Sequence, residues 1–324
     1  MPSRMRRTCS GLVFLFVTCV SLQAQDVISS ASSEGASSVP ISLTHGKPFV
    51  RVMVNGKGPY RFVIDTGTGG EAFVSAELAD DLKLPVVGQI RVSDPSKQGG
   101  QKVPIVLIQS LEVAGVAFTS VKAVRHTLST ADGNCDGILG FELFKNYLLT
   151  LDYPNRRMTL ESGVLAPDGE HSVLHFRMPD GIPIVPLQVG NIQIDAQIDS
   201  GGTGLSLPAK IMSGLRFESD PTIFGVGQSM STRFELKAAK LASDVHLGSY
   251  VFSRPFVEIN SAFPLANFGS CALKDFVLTF DQKDGLVRFE SSRQVLHLAA
   301  TPTQVNMERA PVDAQPQMSL VPVG

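Results

Sequence analysis

Two aspartates occur in the same local setting at widely separated places in the chain. Asp65 ends the strand-like stretch RFVID and is followed by TGTGG, and Asp199 ends IQIDAQID and is followed by SGGTG. The small residues after each aspartate let the backbone turn sharply and approach another segment closely. One such aspartate could be an ordinary turn residue, so its chemical meaning depends on whether the chain repeats the unit around it.

An internal repeat relates the two halves of the chain. GFELFKNYLLTLDYPNRRMTLE (140–161) aligns without a gap with GSCALKDFVLTFDQKDGLVRFE (269–290), at an offset of 129 residues. Upstream, VIDTGTGG (63–70) aligns with QIDSGGTG (197–204) at an offset of 134 residues. Self-similarity of this kind indicates related structural units.

The repeat predicts two related lobes, 40–162 and 171–292. Short strand-like runs alternate with Gly, Pro, Asn and Asp turn signals, so we expect an all-β fold. The best helix candidate is SAELADDLKL (75–84), which follows the first glycine cluster. A pseudo-two-fold axis between the lobes would bring Asp65 and Asp199 together.

Two carboxylates held a few ångströms apart share chemistry that neither has alone. Repulsion between unit charges about 4 Å apart is roughly 4 kcal/mol at an effective dielectric near 20, so one proton is retained over a wide pH range. The ionised member can take a proton from a bound water while the protonated member donates to a substrate carbonyl. Such a pair would hydrolyse an amide without a metal or a covalent intermediate.

These motifs carry a family resemblance. Asp65-Thr66-Gly67-Thr68 and Asp199-Ser200-Gly201 resemble the paired active-site motifs of pepsin-like and retropepsin-like aspartic proteases. The resemblance is greatest to bacterial exported proteins with two retropepsin-like lobes on one chain, and it covers nearly all of 40–292. It implies a two-lobed, all-β fold with the active-site cleft between the lobes.

The resemblance also implies roles for individual residues. Asp65 and Asp199 would be the catalytic pair, and the Thr66 and Ser200 hydroxyls would hydrogen-bond across the interface between the lobes. The remaining residues of the two motifs would support the active-site loops: Gly67, Thr68 and Gly201.

The family pattern also has a second part, in which two apolar residues and a glycine pass beneath each active-site loop. Ile138-Leu139-Gly140 fits this pattern, and Asn267-Phe268-Gly269 fits it with one polar departure. A flap is expected at about 88–108. Gly99 and Gly100 would form its tip, or else an ordinary hairpin turn.

Two features depart from the pepsin-like pattern: the expected flap contains no tyrosine, and Gly202 replaces a hydroxyl residue. Thr68 can donate a hydrogen bond to Asp65, while Gly202 offers Asp199 no side-chain donor. We therefore expect the shared proton to lie more often on Asp199, which makes Asp65 the base. A lost donor should also make the pair harder to ionise and extend activity toward near-neutral pH.

Other candidate sites have simpler interpretations. Asp152 and Asp281 form a second repeated pair, but each begins a hairpin turn, where aspartate often makes local hydrogen bonds. His171 and His175 are four residues apart with no third ligand nearby, so we interpret them as part of an exposed strand rather than a zinc site. The glycine clusters lack the Gly-Lys-Ser/Thr of a phosphate-binding loop.

The ends of the chain differ from its centre in composition. Residues 1–24 have a basic start and a short apolar run, and we interpret them as an export signal rather than a membrane span. A lipoprotein signal ending at Cys19 is the alternative. The segments 25–39 and 298–324 are expected to be a flexible leader and a flexible tail, and the leader could be a removable inhibitory segment.

Composition limits the remaining possibilities. With 43% hydrophobic and 18% charged residues the chain can build a large core, and a net charge of −2 gives no basic face for nucleic acid. No later stretch could span a membrane. Cys135 and Cys271 remain in the mature chain, either as two separate small buried residues or, in an oxidising compartment, as a disulfide.

The sequence thus predicts an exported aspartic endopeptidase, periplasmic or extracellular, that acts on a polypeptide substrate without a cofactor or metal. One alternative is a non-catalytic peptide-binding protein on the same fold. Another is a glycosidase, which would need its two carboxylates roughly 5 Å or more apart in a sugar-shaped cleft.

Overall fold

The structure is a computed structural model that describes five segments of one compact unit: 36–92, 101–128, 135–169, 171–228 and 233–299. Several predicted features lie outside these residues, namely the export signal 1–24, the leader up to residue 35, the flap-tip candidates Gly99 and Gly100, and the tail after residue 299.

Strands dominate the described part of the first lobe. Its elements are β1 (Ala36–Pro40), β2 (Ser42–Thr44), β3 (Lys47–Val54), β4 (Lys57–Asp65), β5 (Ala72–Ser75), α1 (Ala76–Asp81), β6 (Val86–Val92), β7 (Gln101–Val113), β8 (Val116–His126), β9 (Gly137–Gly140), β10 (Leu148–Asp152) and β11 (Arg157–Glu161).

The second lobe has the same character. Its elements are β12 (Val173–His175), β13 (Ile184–Val189), β14 (Ile192–Asp199), β15 (Leu205–Pro208), β16 (Thr222–Gln228), β17 (Arg233–Lys240), β18 (Val245–Leu247), β19 (Tyr250–Phe252), β20 (Phe256–Asn260), β21 (Ala266–Gly269), α2 (Ser270–Leu273), β22 (Val277–Asp281), β23 (Leu286–Glu290) and β24 (Val295–Leu296). Short 3-10 helices are formed by Phe141–Phe144, Pro179–Gly181 and Ala209–Gly214.

These strands form three sheets. The first lobe has the order β2-β3-β4-β9-β5-β8-β7-β6, and the second has β16-β17-β20-β15-β21-β14-β13-β18-β19-β24. A third sheet, β1-β11-β10-β22-β23-β12, takes strands from both lobes. The predicted all-β, two-lobed fold is confirmed.

The sheet shared by the lobes contains the pseudo-two-fold relation. Its central strands, β10 and β22, are antiparallel, with Thr150 opposite Thr279 and their hydroxyl oxygens 3.0 Å apart. These two residues are equivalent in the sequence repeat, so the symmetry axis passes between them. One hydrophobic core continues through both lobes, and the Phe141 and Phe280 rings meet across the interface with centroids 5.1 Å apart.

Each lobe threads one short strand between the two strands that flank its active-site loop. In the first lobe β9 runs parallel to β4 and antiparallel to β5, so Gly140 lies beside Asp65. In the second lobe β21 runs parallel to β14 and antiparallel to β15, which places Gly269 beside Asp199. The repeated motifs therefore occupy equivalent positions in the two lobes.

The first helix is shorter in the structure than the sequence predicts. It was expected over 75–84, but α1 covers Ala76–Asp81 and Leu82 ends it. Ser75 caps the helix, because its hydroxyl accepts a hydrogen bond from the Leu78 amide at 3.0 Å.

The ends of the folded region also differ from expectation. The last residues of the predicted leader, 36–39, belong to β1, which pairs with β11. The Ser38 hydroxyl accepts hydrogen bonds from Arg157 and Thr159, so this polar edge strand forms without hydrophobic periodicity. At the other end, β24 extends the second lobe beyond residue 292, and Leu298 is buried. Within the described residues, no helix has the length and apolar composition needed to cross a membrane.

Candidate active site

The two repeated aspartates meet at the interface between the lobes. β4 ends at Asp65 and β14 ends at Asp199, and the two carboxyl groups hydrogen-bond to each other. Both are buried, with 4% of Asp65 and none of Asp199 exposed. Burial at this depth makes two negative charges unfavourable, so the pair is suited to sharing a proton.

A reciprocal set of hydrogen bonds connects the two loops. The Thr66 hydroxyl accepts from the Ser200 amide at 3.0 Å and donates to the Ile198 carbonyl at 2.7 Å. The Ser200 hydroxyl accepts from the Thr66 amide at 3.0 Å and donates to the Ile64 carbonyl at 2.7 Å. The two hydroxyls thus hold the loops together across the axis, in the arrangement that the resemblance implied.

Glycines allow each carboxyl group to lie against the opposite loop. A Cβ atom at Gly67 would come within 2.6 Å of the Asp199 Cγ atom. A Cβ atom at Gly201 would overlap the Asp65 carboxyl group in the same way. Both positions therefore need glycine for the close approach of the pair rather than for an unusual backbone conformation.

The glycines that end β9 and β21 support the loops from beneath. A Cβ atom at Gly140 would overlap the backbone carbonyl of Gly70, and one at Gly269 would lie 2.6 Å from the carbonyl of Gly204. In addition, the Gly269 amide donates to the Gly204 carbonyl at 2.9 Å. The predicted passage of these segments beneath the loops is confirmed.

Hydrogen-bond donors reach the two carboxyl groups from different residue types. Asp65 accepts from the Gly67 amide at 2.9 Å and from the Thr68 hydroxyl at 2.8 Å. Asp199 accepts from the Gly202 amide at 2.6 Å. Its other oxygen accepts from the side-chain amide of Asn267, with a donor–acceptor distance of 2.7 Å.

A second amide backs the first. The Gln197 Nε2 atom lies 3.5 Å from the Asp199 Oδ2 atom and 3.3 Å from the Asn267 Oδ1 atom. Gln197 and Asn267 are also paired in register on β14 and β21. Gly202 gives Asp199 only a backbone donor, as expected, but Asn267 supplies a side-chain donor that the sequence analysis did not include.

The structure favours a different location of the shared proton from the one expected. Burial, and next the negative charge of Asp199, raise the pKa of Asp65 to about 8, although hydrogen bonds from Thr68 and Gly67 act in the opposite direction. This direction favours a proton on Asp65, and the Gly202 and Asn267 donors are placed to stabilise a carboxylate at Asp199.

Sequence reasoning missed Gln197 and Asn267 as part of the site. A signal was present, because the equivalent positions in the first lobe hold Val63 and Ile138, which are also paired in register. A change from an apolar pair to an amide pair beside a buried carboxylate is the pattern that would have identified them.

The second repeated aspartate pair and the two cysteines lie outside the site. Asp152 accepts from the Asn155 amide and Asp281 from the Lys283 amide, which confirms the predicted turn hydrogen bonds. Cys135 and Cys271 are free thiols rather than a disulfide.

The other predicted features outside the site have simple placements. Strands β6 and β7 pair as the arms of a hairpin at the position of the expected flap. His171 and His175 are exposed, and within the described segments no group of three or more potential ligands could hold a metal ion.

Comparison with models of protein families gives a match in the first lobe. A family model described as aspartyl protease matches residues 50–143. This range contains Asp65, Thr68 and Gly140, and the internal repeat extends the same pattern to Asp199. No curated protein matches the chain. The match supports protease function in general.

Proposed function

We propose that this protein is an exported aspartic endopeptidase that hydrolyses peptide bonds with a water activated by Asp65 and Asp199. The observation that carries the proposal is the buried, hydrogen-bonded carboxyl pair, held by the reciprocal contacts of Thr66 and Ser200. The aspartyl protease match to the first lobe supports the same reaction class.

In the proposed mechanism a water binds between the two carboxyl groups. Ionised Asp199 takes a proton from this water as its oxygen attacks the scissile carbonyl carbon, and Asp65 donates its proton to the carbonyl oxygen. Asp199 then passes its proton to the leaving nitrogen while Asp65 recovers a proton from the tetrahedral intermediate. The C–N bond breaks, and the pair returns to its starting state with one proton.

The substrate in this proposal is an extended polypeptide. Backbone groups of an extended chain can pair with the edges of strands, which gives binding that depends little on side chains. The edge strands β6 and β16 of the two lobes each belong to a hairpin, β6–β7 and β16–β17. Export, to a periplasmic or extracellular location, remains part of the proposal and rests on the signal-like residues 1–24.

The test compares the wild type with Asp65→Asn and Asp199→Asn in the digestion of a quenched-fluorescent peptide library across pH. Each substitution removes one member of the pair, so we expect each to lower kcat by more than about 1,000-fold. Asp152→Asn is the matched control, because this repeated aspartate lies in an exposed turn, and it should retain wild-type activity.

Two results would contradict the proposal. Cleavage near the wild-type rate by either dyad variant would remove that aspartate from the reaction. Tight binding of a peptide with a hydroxyl in place of the scissile amide, without cleavage of any library member, would indicate the non-catalytic peptide-binding protein instead.

A further inference from the structure

The two lobes surround their aspartates with different residue types at three equivalent positions. Each position has one residue in the first lobe and another in the second: Thr68 and Gly202, Val63 and Gln197, and Ile138 and Asn267. The first lobe uses a hydroxyl within the loop and an apolar strand pair beneath it. The second lobe uses no side chain within the loop and an amide pair beneath it.

The two solutions exclude each other sterically. A Cβ atom at Gly202 would lie 2.5 Å from the Asn267 Nδ2 atom and would overlap the Asp199 carboxylate. Real Cβ atoms do not make contacts this short, so a side chain at 202 and the amide at 267 compete for one space. The glycine therefore belongs to the same arrangement as Asn267.

We propose that Asn267, supported by Gln197, is a positioning residue that keeps Asp199 as the ionised base of the pair. The proposal rests on the proposed peptidase function for its kinetic test only. It also assigns Asp65 as the member that carries the proton in the free enzyme.

The two side-chain donors differ in the protonation states that they stabilise. An amide NH₂ group can only donate hydrogen bonds, so Asn267 stabilises a carboxylate at Asp199 more strongly than a neutral carboxyl group, which is a weaker acceptor. A hydroxyl can donate or accept, so Thr68 can serve Asp65 in both protonation states. The Asn267 Oδ1 atom is held by Gln197, which fixes the amide with its NH₂ group toward Asp199.

The surrounding groups do not reverse this assignment. Asp65 and Tyr153 are titratable groups that interact electrostatically with Asp199. Burial, and next the charges of Asp199 and Asp65, raise the pKa of Tyr153 well above its usual value, so it stays neutral. Glu258 lies farther along the loop, against Gly204.

The kinetic experiment uses Asn267→Ile, Gly202→Thr and the double variant, which recreates the first-lobe arrangement. Asn267→Ile should lower kcat about 10- to 100-fold with KM changed less than about threefold, because one hydrogen bond to a buried charge is lost. Gly202→Thr should be at least as damaging. The double variant should be more active than Gly202→Thr alone, because Asn267→Ile removes the contact between the side chain at 202 and the amide at 267.

The pH profile separates positioning from a general structural role. Loss of the Asn267 donor disfavours ionisation of the pair, so the acidic limb of kcat/KM should move up by about 1 pH unit. Thr68→Val is the matched control, because it removes a donor from Asp65 and should move mainly the basic limb. An unmoved acidic limb in Asn267→Ile, or a double variant no more active than Gly202→Thr, would overturn the proposal.

A spectroscopic measurement does not depend on peptidase activity. The full chain is labelled with ¹³Cγ-aspartate, and the two signals are assigned by their loss in Asp65→Asn and Asp199→Asn. At about pH 6 we expect a carboxylic acid signal from Asp65 and a carboxylate signal from Asp199, with the Asp199 signal moving toward the acid form in Asn267→Ile. The reverse wild-type assignment would overturn the inference even if peptidase activity were found. The expected assignment would support it even if the library were not cleaved.

Discussion

Asp65 is the residue that sets the upper pH limit of the proposed reaction. The active form needs a proton on this carboxyl group, whose pKa burial and the charge of Asp199 raise to about 8. We expect kcat/KM to fall about tenfold per pH unit above that value. A profile of kcat/KM against pH for one cleaved peptide checks this, and a basic limb below about pH 6 would contradict it.

The same residue makes stability depend on pH. The folded state holds the Asp65 proton more tightly than the unfolded state, because the pKa is raised from 3.8 to about 8. Its contribution to stability is therefore complete below the unfolded value and is lost as the pH rises through the folded value. In urea unfolding, the free energy of the wild type should fall from about pH 5 to about pH 9 relative to that of Asp65→Asn. Parallel curves for the two proteins would contradict the assignment.

The sequence predicted those site residues that lie in short contiguous motifs and occur in both halves of the repeat. Asp65, Thr66, Asp199 and Ser200 could be recognised because each motif is contiguous and occurs twice. Asn267 was recognised only as a polar departure in the segment beneath the second loop, because its partner Asp199 lies 68 residues away. The register of β21 against β14 is what places its amide on the Asp199 carboxyl group.

The active-site loops depend on each other through Thr66 and Ser200. Thr66→Val would leave the Ser200 amide and the Ile198 carbonyl buried without the partners that the hydroxyl provides. We expect a loss of roughly 2–4 kcal/mol in the free energy of unfolding. Thr66→Ser keeps the hydroxyl and should cost within about 1 kcal/mol, so urea unfolding of the two variants provides the check. Equal losses would show that the methyl group matters as much as the hydroxyl and would contradict the prediction.

Elements with strong turn chemistry were predictable, and those made by pairing alone were not. The hairpin between β3 and β4 turns at Asn55-Gly56, a dipeptide that favours tight hairpin turns, and both residues have positive φ angles. Strand β1 was missed because its exposed and half-buried residues alternate without large apolar side chains. β1 forms because its backbone pairs with β11, and the sequence of the leader alone carries no information about that partner.

At the scale of the whole molecule, the repeat predicted two lobes and the region where they meet. It did not predict that the lobes share a sheet, because the five residue pairs between β10 and β22 join segments far apart in the sequence. Nor did it predict that a glycine-containing turn of each lobe packs against the other lobe. Gly46 packs on Ser270 of the second lobe, and Gly181 packs on Glu142 of the first.

The ladder between β10 and β22 also restricts motion. The lobes cannot swing apart as rigid bodies without breaking backbone hydrogen bonds along Leu148–Asp152, which face Val277–Asp281. We therefore expect amide hydrogens in these two strands to exchange with solvent only through global unfolding, as measured by hydrogen–deuterium exchange. Edge strands such as β6 and β16 should exchange much faster, and equal protection would contradict this prediction. Access to the carboxyl pair would then be controlled at the outer edges of the lobes, while the axis between Thr150 and Thr279 stays fixed.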